Sequence, residues 1–153
     1  MPMRQLTEFL DDNHVSYIRI SHSPAFTAQE IAASAHIPGQ ELAKTVMVEL
    51  DGRMAMAVLP ASFQVDLDAV KDLAGAQEIR LATEEHFKNL FPDCEPGAMP
   101  PFGNLYDMPV FAAETLAEDD EIAFNAGSHT ELVRLAYADF ARLVQPTVGR
   151  FAV

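Results

Sequence analysis

Two apolar runs, Ala43 to Leu50 and Arg53 to Pro60, flank the dipeptide Asp51-Gly52, and this arrangement narrows the possible folds more than any other feature of the chain. Asp-Gly accepts the positive φ angles of a type I′ turn, whose twist matches that of the strands it joins. A two-residue loop also leaves no freedom of register. It predicts Leu50 opposite Arg53, Val48 opposite Ala55, Val46 opposite Ala57 and Lys44 opposite Leu59. Lys44 then shares a face with Val46 and Val48, while Thr45, Met47, Met54, Met56 and Val58 occupy the other. Both faces are apolar, as in a central strand pair covered on two sides.

The segments around this hairpin alternate between helix and strand signals. Met3, Leu6, Phe9 and Leu10 fall at helical spacing, and Tyr17 to Ile20 alternates like a short strand. Thr27-Ala28-Gln29-Glu30 is a capping box that opens a helix running to about His36, before Pro38-Gly39. Asp66 to Leu73, with Gly75 just beyond, reads as a helix, Glu78 to Leu81 as a strand and Thr83 to Leu90 as a helix. Pro92 to Pro109 is rich in loop residues. Glu121 to Ala126 and His129 to Leu135 predict a second hairpin around Gly127-Ser128, a pair suited to a type II′ turn. Its register would set Glu121 opposite Arg134 and Ala126 opposite His129. Tyr137 to Val144, carrying Phe140 and Leu143, predicts a closing helix. Strands interleaved with helices, with two antiparallel pairs, imply a mixed α+β fold with helices around the sheet.

With 153 residues, 49% of them hydrophobic, and no repeat or linker, the expectation is one domain spanning residues 1–153. Ten Lys and Arg against 23 Asp and Glu give a formal charge of −13. That balance argues against duplex DNA as a partner, because sequence-independent binding depends on neutralising many phosphates. Any nucleic-acid contact must be small and local. The acidic run Glu118-Asp119-Asp120-Glu121 reads as a solvated loop. No apolar run approaches the roughly 18 residues of a membrane span, and the N-terminal sequence lacks the apolar centre of a signal peptide. These features set the expectation of a cytoplasmic protein with no membrane partner.

Three features carry candidate chemistry. Lys44 stands on an apolar strand face, where it must either reach water along its stem or serve a purpose inside. Near a strand end it is placed to line a pocket mouth, and an ammonium is a good point charge for a phosphate. Gly97-Ala98-Met99-Pro100-Pro101-Phe102-Gly103 is a stiff Gly/Pro segment, either a rigid connector or a holder of backbone donors against a substrate. His129, beside the expected turn on the face of Ala126, Phe124 and Val133, reads either as a boundary histidine or as a site residue. The lone cysteine, Cys94, lies between Asp93 and Glu95, whose charge opposes thiolate formation, so it is expected to be a bystander. His14, His22, His36 and His86 share no ligand spacing, and metal-binding, Walker A and dinucleotide motifs are absent, so neither metal nor cofactor is expected.

Ala43-Lys44-Thr45-Val46, Val58-Leu59-Pro60-Ala61, the Gly97 to Gly103 segment and Phe124-Asn125-Ala126-Gly127-Ser128-His129 follow in the order and spacing of a known family. The chain resembles, over nearly its whole length, the YbaK and prolyl-tRNA synthetase insertion-domain family of trans-editing aminoacyl-tRNA deacylases. The resemblance implies a curved, barrel-like, largely antiparallel mixed sheet ringed by helices. It also implies a pocket for the aminoacyl-adenosine end of a mischarged tRNA. By this carry-over Lys44 holds the terminal phosphate region, and Gly97 and Pro100 belong to the loop against the aminoacyl end. Thr45, Met99, Pro101, Gly127, Ser128 and His129 border the substrate. Many members have asparagine after the lysine where this chain has Thr45, a departure that bears on amino-acid specificity more than on the reaction. The implied activity is metal-independent, substrate-assisted hydrolysis of the ester, for a small amino acid, with a synthetase as a further partner. The alternative is a non-catalytic module that binds a nucleotide or a tRNA acceptor end.

Overall fold

A computed structural model describes residues 4–21, 41–92, 94–95 and 97–153. The expected capping box at Thr27 to Glu30, its helix, His22, His36, Met3 and Asp93 lie outside the described residues. Helix α1 (Arg4–Asp12) leads into strand β1 (Tyr17–Ser21), and the central hairpin follows as β2 (Ala43–Leu50) and β3 (Arg53–Pro60). Helix α2 (Leu67–Ala74), strand β4 (Ile79–Leu81) and the short α3 (Glu84–Phe87) come next. Then come β5 (Val110–Ala113), β6 (Glu121–Asn125), β7 (Glu131–Ala136), α4 (Tyr137–Val144) and β8 (Thr147–Gly149).

The central hairpin has the register its turn predicts, with Leu50 paired to Arg53, Val48 to Ala55, Val46 to Ala57 and Lys44 to Leu59. Asp51 and Gly52 take φ angles of 51° and 84°, the two positive values that a type I′ turn requires. The Asp51 carboxylate also accepts the amides of Gln77 and Glu78, at 3.0 and 2.9 Å, which ties the turn to the approach of β4. The hairpin is the middle of a five-stranded sheet ordered β4-β2-β3-β5-β8, antiparallel on the β4 side and parallel from β3 to β8. Both of its faces are covered. Met47, Met56 and Val58 enter a core with Leu6, Phe102 and Phe124, while Val48, Ala57 and Leu59 enter a second core with Val70, Phe111 and Phe151.

Helix α2 shows why local signals suffice at some places. Asp66 accepts the amide of Ala69 at 3.2 Å as N-cap, and Gly75, at φ 68°, ends the helix in the left-handed region. Residues 83–90 form not one helix but the single turn of α3 followed by a 3-10 turn at Lys88–Leu90. Strands β5 and β8 went unpredicted. Both pair in parallel, and β5 is buried along its whole length, so neither shows the alternation that marks a strand with one wet face.

The second hairpin differs from expectation by two residues. Glu121 pairs with Ala136, Ala123 with Arg134 and Asn125 with Leu132, and the Ala126 amide donates to Glu131. The connection is therefore Gly127 to Thr130, not a two-residue type II′ turn. The physical reason lies in the partners of this loop: the Gly127 amide donates to Ala98 and the Gly127 carbonyl accepts from Glu95, both at 2.9 Å or less. Those bonds hold the loop away from its own strands. A shift of two preserves the faces, so Phe124 and Val133 share the core face as expected, though they now pair directly. Arg134, now diagonal to Glu121, still reaches its carboxylate at 3.5 Å and that of Glu41 at 3.2 Å.

β6 and β7 join β1 in a three-stranded antiparallel sheet, β1-β7-β6. The two sheets meet where Leu42 bridges Ala123 in parallel, with the Ala123 amide donating to Glu41 at 2.9 Å. The fold is α+β with a mixed sheet, as expected, but the pairings among the described residues form two sheets with one bridge between them rather than a closed barrel. Of the acidic run, Glu118 ends a 3-10 turn and Glu121 already belongs to β6.

Gly103 has no room for a side chain, since a Cβ there would lie 2.5 Å from the Met108 carbonyl oxygen and 2.6 Å from Val110 Cγ2. Replacing Gly103 with alanine is expected to cost about 1–3 kcal/mol of stability, the range for overpacking, measured as a lower urea midpoint at unchanged slope.

Candidate active site

The loop residues singled out in the sequence come together around two glycines. Gly97 has φ 83° and Gly127 φ 96°, conformations that a side chain strains. The Ala98 amide closes a turn onto the Glu95 carbonyl at 3.0 Å, with Gly97 at its third position, where a type II turn needs a positive φ. Gly127 exchanges bonds with both ends of that turn, from Glu95 and to Ala98, at 2.8 and 2.9 Å. The Glu95 carboxylate then accepts the backbone amide of His129 at 3.2 Å. As a result the His129 ring, only 8% exposed, lies against Gly97, with Cε1 3.6 Å from the position a Cβ would take. Glu95 organises this corner, a role the sequence reading missed because it weighed Glu95 only as a neighbour of Cys94.

The remainder of the Gly/Pro segment turns inward. Met99 is in the main core, and Pro100 and Pro101 are buried. Met99 therefore spends its side chain on packing, and of this segment Gly97 is the exposed part. Ser128 shares a hydrogen bond of 3.2 Å with Thr130. Cys94 packs at the core edge with its Sγ 3.9 Å from the Tyr106 hydroxyl.

Lys44 is related to this corner through the seam between the sheets. β2 and β6 leave the Leu42–Ala123 bridge in the same direction, so Lys44 and Asn125 each stand two residues beyond it. Side chains two residues apart on a strand return to one face, which places Lys44 and Asn125 on the same side. Thr45 faces the opposite way, with Met47. Lys44 is partly buried and makes no ion pair among the described residues. Burial alone pushes its ammonium below the ordinary lysine value. A half-buried cation with no acidic partner among the described residues suits an external anion.

Two clefts, of about 460 and 570 Å³, open at the turn end of the hairpin, beside Asp51. They lie roughly 20 Å along the strand from Lys44 and contain none of the candidate residues, so size does not mark the site. Among the described residues no three metal-ligating side chains converge, and no helix is long and apolar enough to cross a membrane.

Residues 22–143 match the family model of the aminoacyl-tRNA editing domain. The chain belongs to that family. It is 36% identical over 97 residues to the multifunctional Ser/Thr-tRNA deacylase ProXp-y of Escherichia coli (strain K12), covering 63% of this chain and 58% of that protein. It is 26% identical over 134 residues to a proline–tRNA ligase of Macrococcus caseolyticus (strain JCSC5402), covering 81% of this chain and 23% of the ligase. The match thus spans under two thirds of either relative. In fold it is similar to the crystal structure of hypothetical protein APE2540, with a TM-score of 0.88 at 18% identity over 98% of this chain and all of that one. A structure proposed to be a trans-editing enzyme for prolyl-tRNA synthetase gives 0.83 at 20% identity, covering 98% of this chain and 96% of that one.

The lowered pKa of Lys44 has a definite consequence for stability. The unfolded chain binds this proton more tightly than the fold does, so stability rises with pH between the lowered folded value and the ordinary 10.5. Urea unfolding of the native protein and of Lys44→Met is expected to show the native protein gaining on the variant as pH climbs through that window. A constant difference would mean that the ammonium is fully solvated.

Proposed function

We infer that this chain is a trans-acting editing domain that hydrolyses the ester of mischarged tRNA, with a small amino acid as the natural target. The observation that carries the reading is the family match across residues 22–143, which contains both Lys44 and the interlocked Gly97 and Gly127 loops. In this reading Lys44 takes the phosphate region of the terminal adenosine. Gly97 and Pro100 set the loop that faces the aminoacyl ester, Gly127, Ser128 and His129 bound the amino-acid pocket, and Thr45, Met99 and Pro101 shape it from the core side through packing. The named activity of the E. coli relative, on seryl- and threonyl-tRNA, supports a small side chain. The ligase matches support a functional link to a synthetase. The chain acts as one domain, in the cytoplasm, without metal or cofactor.

Ester hydrolysis needs an oriented water and donors aimed at a developing oxyanion. A loop whose amides are fixed by its neighbour does not reorganise during the reaction, and the substrate's own ribose hydroxyl serves to position the water. Orientation of this kind supplies a large share of a hydrolytic rate. The need for it is energetic. One methylene gives a synthetase pocket only about 1–3 kcal/mol of discrimination, so a second hydrolytic sieve corrects its errors.

Purified protein mixed with a panel of mischarged tRNAs is expected to release amino acid over many turnovers. Stoichiometric binding without release would make it an acceptor-end binding module instead. Lys44→Ala is expected to lower kcat/KM about a hundredfold, the cost of losing a charged stabilising group, while unfolding stays cooperative. Full activity in this variant would remove Lys44 from the site.

His129→Ala tests selectivity. Its ring is held against Gly97 by the Glu95 contact, so its loss is expected to widen acceptance towards larger aminoacyl esters, by about 10- to 200-fold relative to the preferred one. Competition between small and large aminoacyl-tRNAs in one reaction measures this. An equal loss on all esters would assign the ring to structure or catalysis.

A further inference from the structure

Glu95 is exposed, yet it is bonded at three points across the junction of the two candidate loops. Its amide donates to the Gly127 carbonyl at 2.8 Å, its carbonyl accepts the Ala98 amide at 3.0 Å, and its carboxylate accepts the His129 amide at 3.2 Å. The first two bonds are made by backbone, and any residue other than proline makes them. The third belongs to the side chain. It spans 34 residues of sequence and holds the backbone of the residue whose ring lies against Gly97, with Cε1 3.6 Å from the position of a Cβ there. Ordering a long, exposed glutamate side chain costs rotamer freedom, so a conformation bent back onto the neighbouring loop is one that its hydrogen bond must sustain.

We propose that the Glu95 side chain is a positioning residue for amino-acid selection: by holding the His129 amide it fixes how closely the ring approaches Gly97, and with that the size of side chain admitted beside the ring. This rests on the editing reading above and adds a specificity determinant to it. The role requires reach and an acceptor oxygen, and it does not require a negative charge. Glutamine supplies both. Aspartate keeps the charge but is shorter by one carbon–carbon bond, about 1.5 Å, and cannot span a contact that already stands at 3.2 Å. A Glu95 that acted on the substrate directly, by taking a proton or by pairing with the α-ammonium group, would depend on its charge, and the two substitutions would exchange their effects. Holding the ring in place before the substrate arrives spares the complex that ordering, so the effect falls on the comparison between substrates and not on one step of the chemistry.

The test compares wild type with Glu95→Gln, Glu95→Asp and Glu95→Ala in competition between the seryl and leucyl esters of one tRNA. Glu95→Asp and Glu95→Ala are expected to raise the relative kcat/KM of the leucyl ester by about 10-fold or more, towards the ratio of His129→Ala, while Glu95→Gln keeps the wild-type ratio. Adding Glu95→Ala to His129→Ala should widen the ratio no further, because two residues acting through one ring are not additive. Hydrogen exchange of the His129 amide in the free protein, followed by NMR, should be faster in Glu95→Asp and Glu95→Ala and unchanged in Glu95→Gln. The Gln and Asp variants decide the question even where alanine loosens the fold. A loss of rate or selectivity with glutamine but not with aspartate would overturn the proposal, because the charge would then act on the substrate itself. An unchanged ratio in Glu95→Asp and Glu95→Ala, or equal losses on both esters in all three variants, would overturn it as well. Affinities for 3′-deoxy-3′-serylamino-adenosine and 3′-deoxy-3′-leucylamino-adenosine separate this proposal from the deacylase reading. If wild type shows no turnover, but aspartate and not glutamine changes both the ratio of these affinities and the exchange rate, the positioning stands and the reaction fails. If turnover is present and aspartate leaves the exchange rate and the ratio at their wild-type values, the positioning alone fails.

Discussion

The amide of Ala123 donating to the carbonyl of Glu41, beside the Leu42 bridge, is the contact on which the functional geometry depends. The ladders of each sheet pair only its own strands, and the seam ties one sheet to the other. Arg134 reinforces it by reaching Glu41 from β7 while holding Glu121 on β6. These ion pairs are partly exposed and contribute about 1 kcal/mol or less each, so their value lies in orientation more than in stability. The shared core packs the two sheets together, and the seam adds the directional backbone contact that relates Lys44 on one to the Gly127 loop on the other.

The candidate residues differ in how far packing constrains them. The hairpin β2–β3 is walled by two cores, so its middle tolerates little change in volume. Lys44 lies at its open end, where a side chain escapes that restriction but inherits the precision of the strand. The candidate loops are stiffened by glycine conformations, by hydrogen bonds and by the burial of Met99 and Phe102 in the main core.

The sequence was legible wherever a local signal was sufficient by itself. Asp51-Gly52 dictated eight pairings correctly, and Asp66 with Gly75 marked both ends of α2, because in each case the deciding contacts lie within a few residues. It misled at Gly127-Ser128, where a plausible two-residue turn lost to hydrogen bonds from a segment some thirty residues away. β5 and β8 were invisible for a related reason, since parallel strands owe their existence to partners distant in the chain. The same division applies to the site. Gly97 and His129 were recognised as residue types and do meet, whereas Glu95, which makes them meet, had no local signature.

The mutual bonding of the Glu95–Ala98 turn and the Gly127–His129 segment also governs how this architecture can diversify. Each loop supplies the donors and acceptors that the other lacks, so the two behave as one heritable unit despite their separation in sequence. A transplant of either loop alone from a relative would carry half of a hydrogen-bonding pattern into a partner built for a different half. Exchange of both together leaves the sheets, the seam and Lys44 untouched. Changes at this corner are therefore most accessible as paired loop replacements, with the hairpin retained as the constant part.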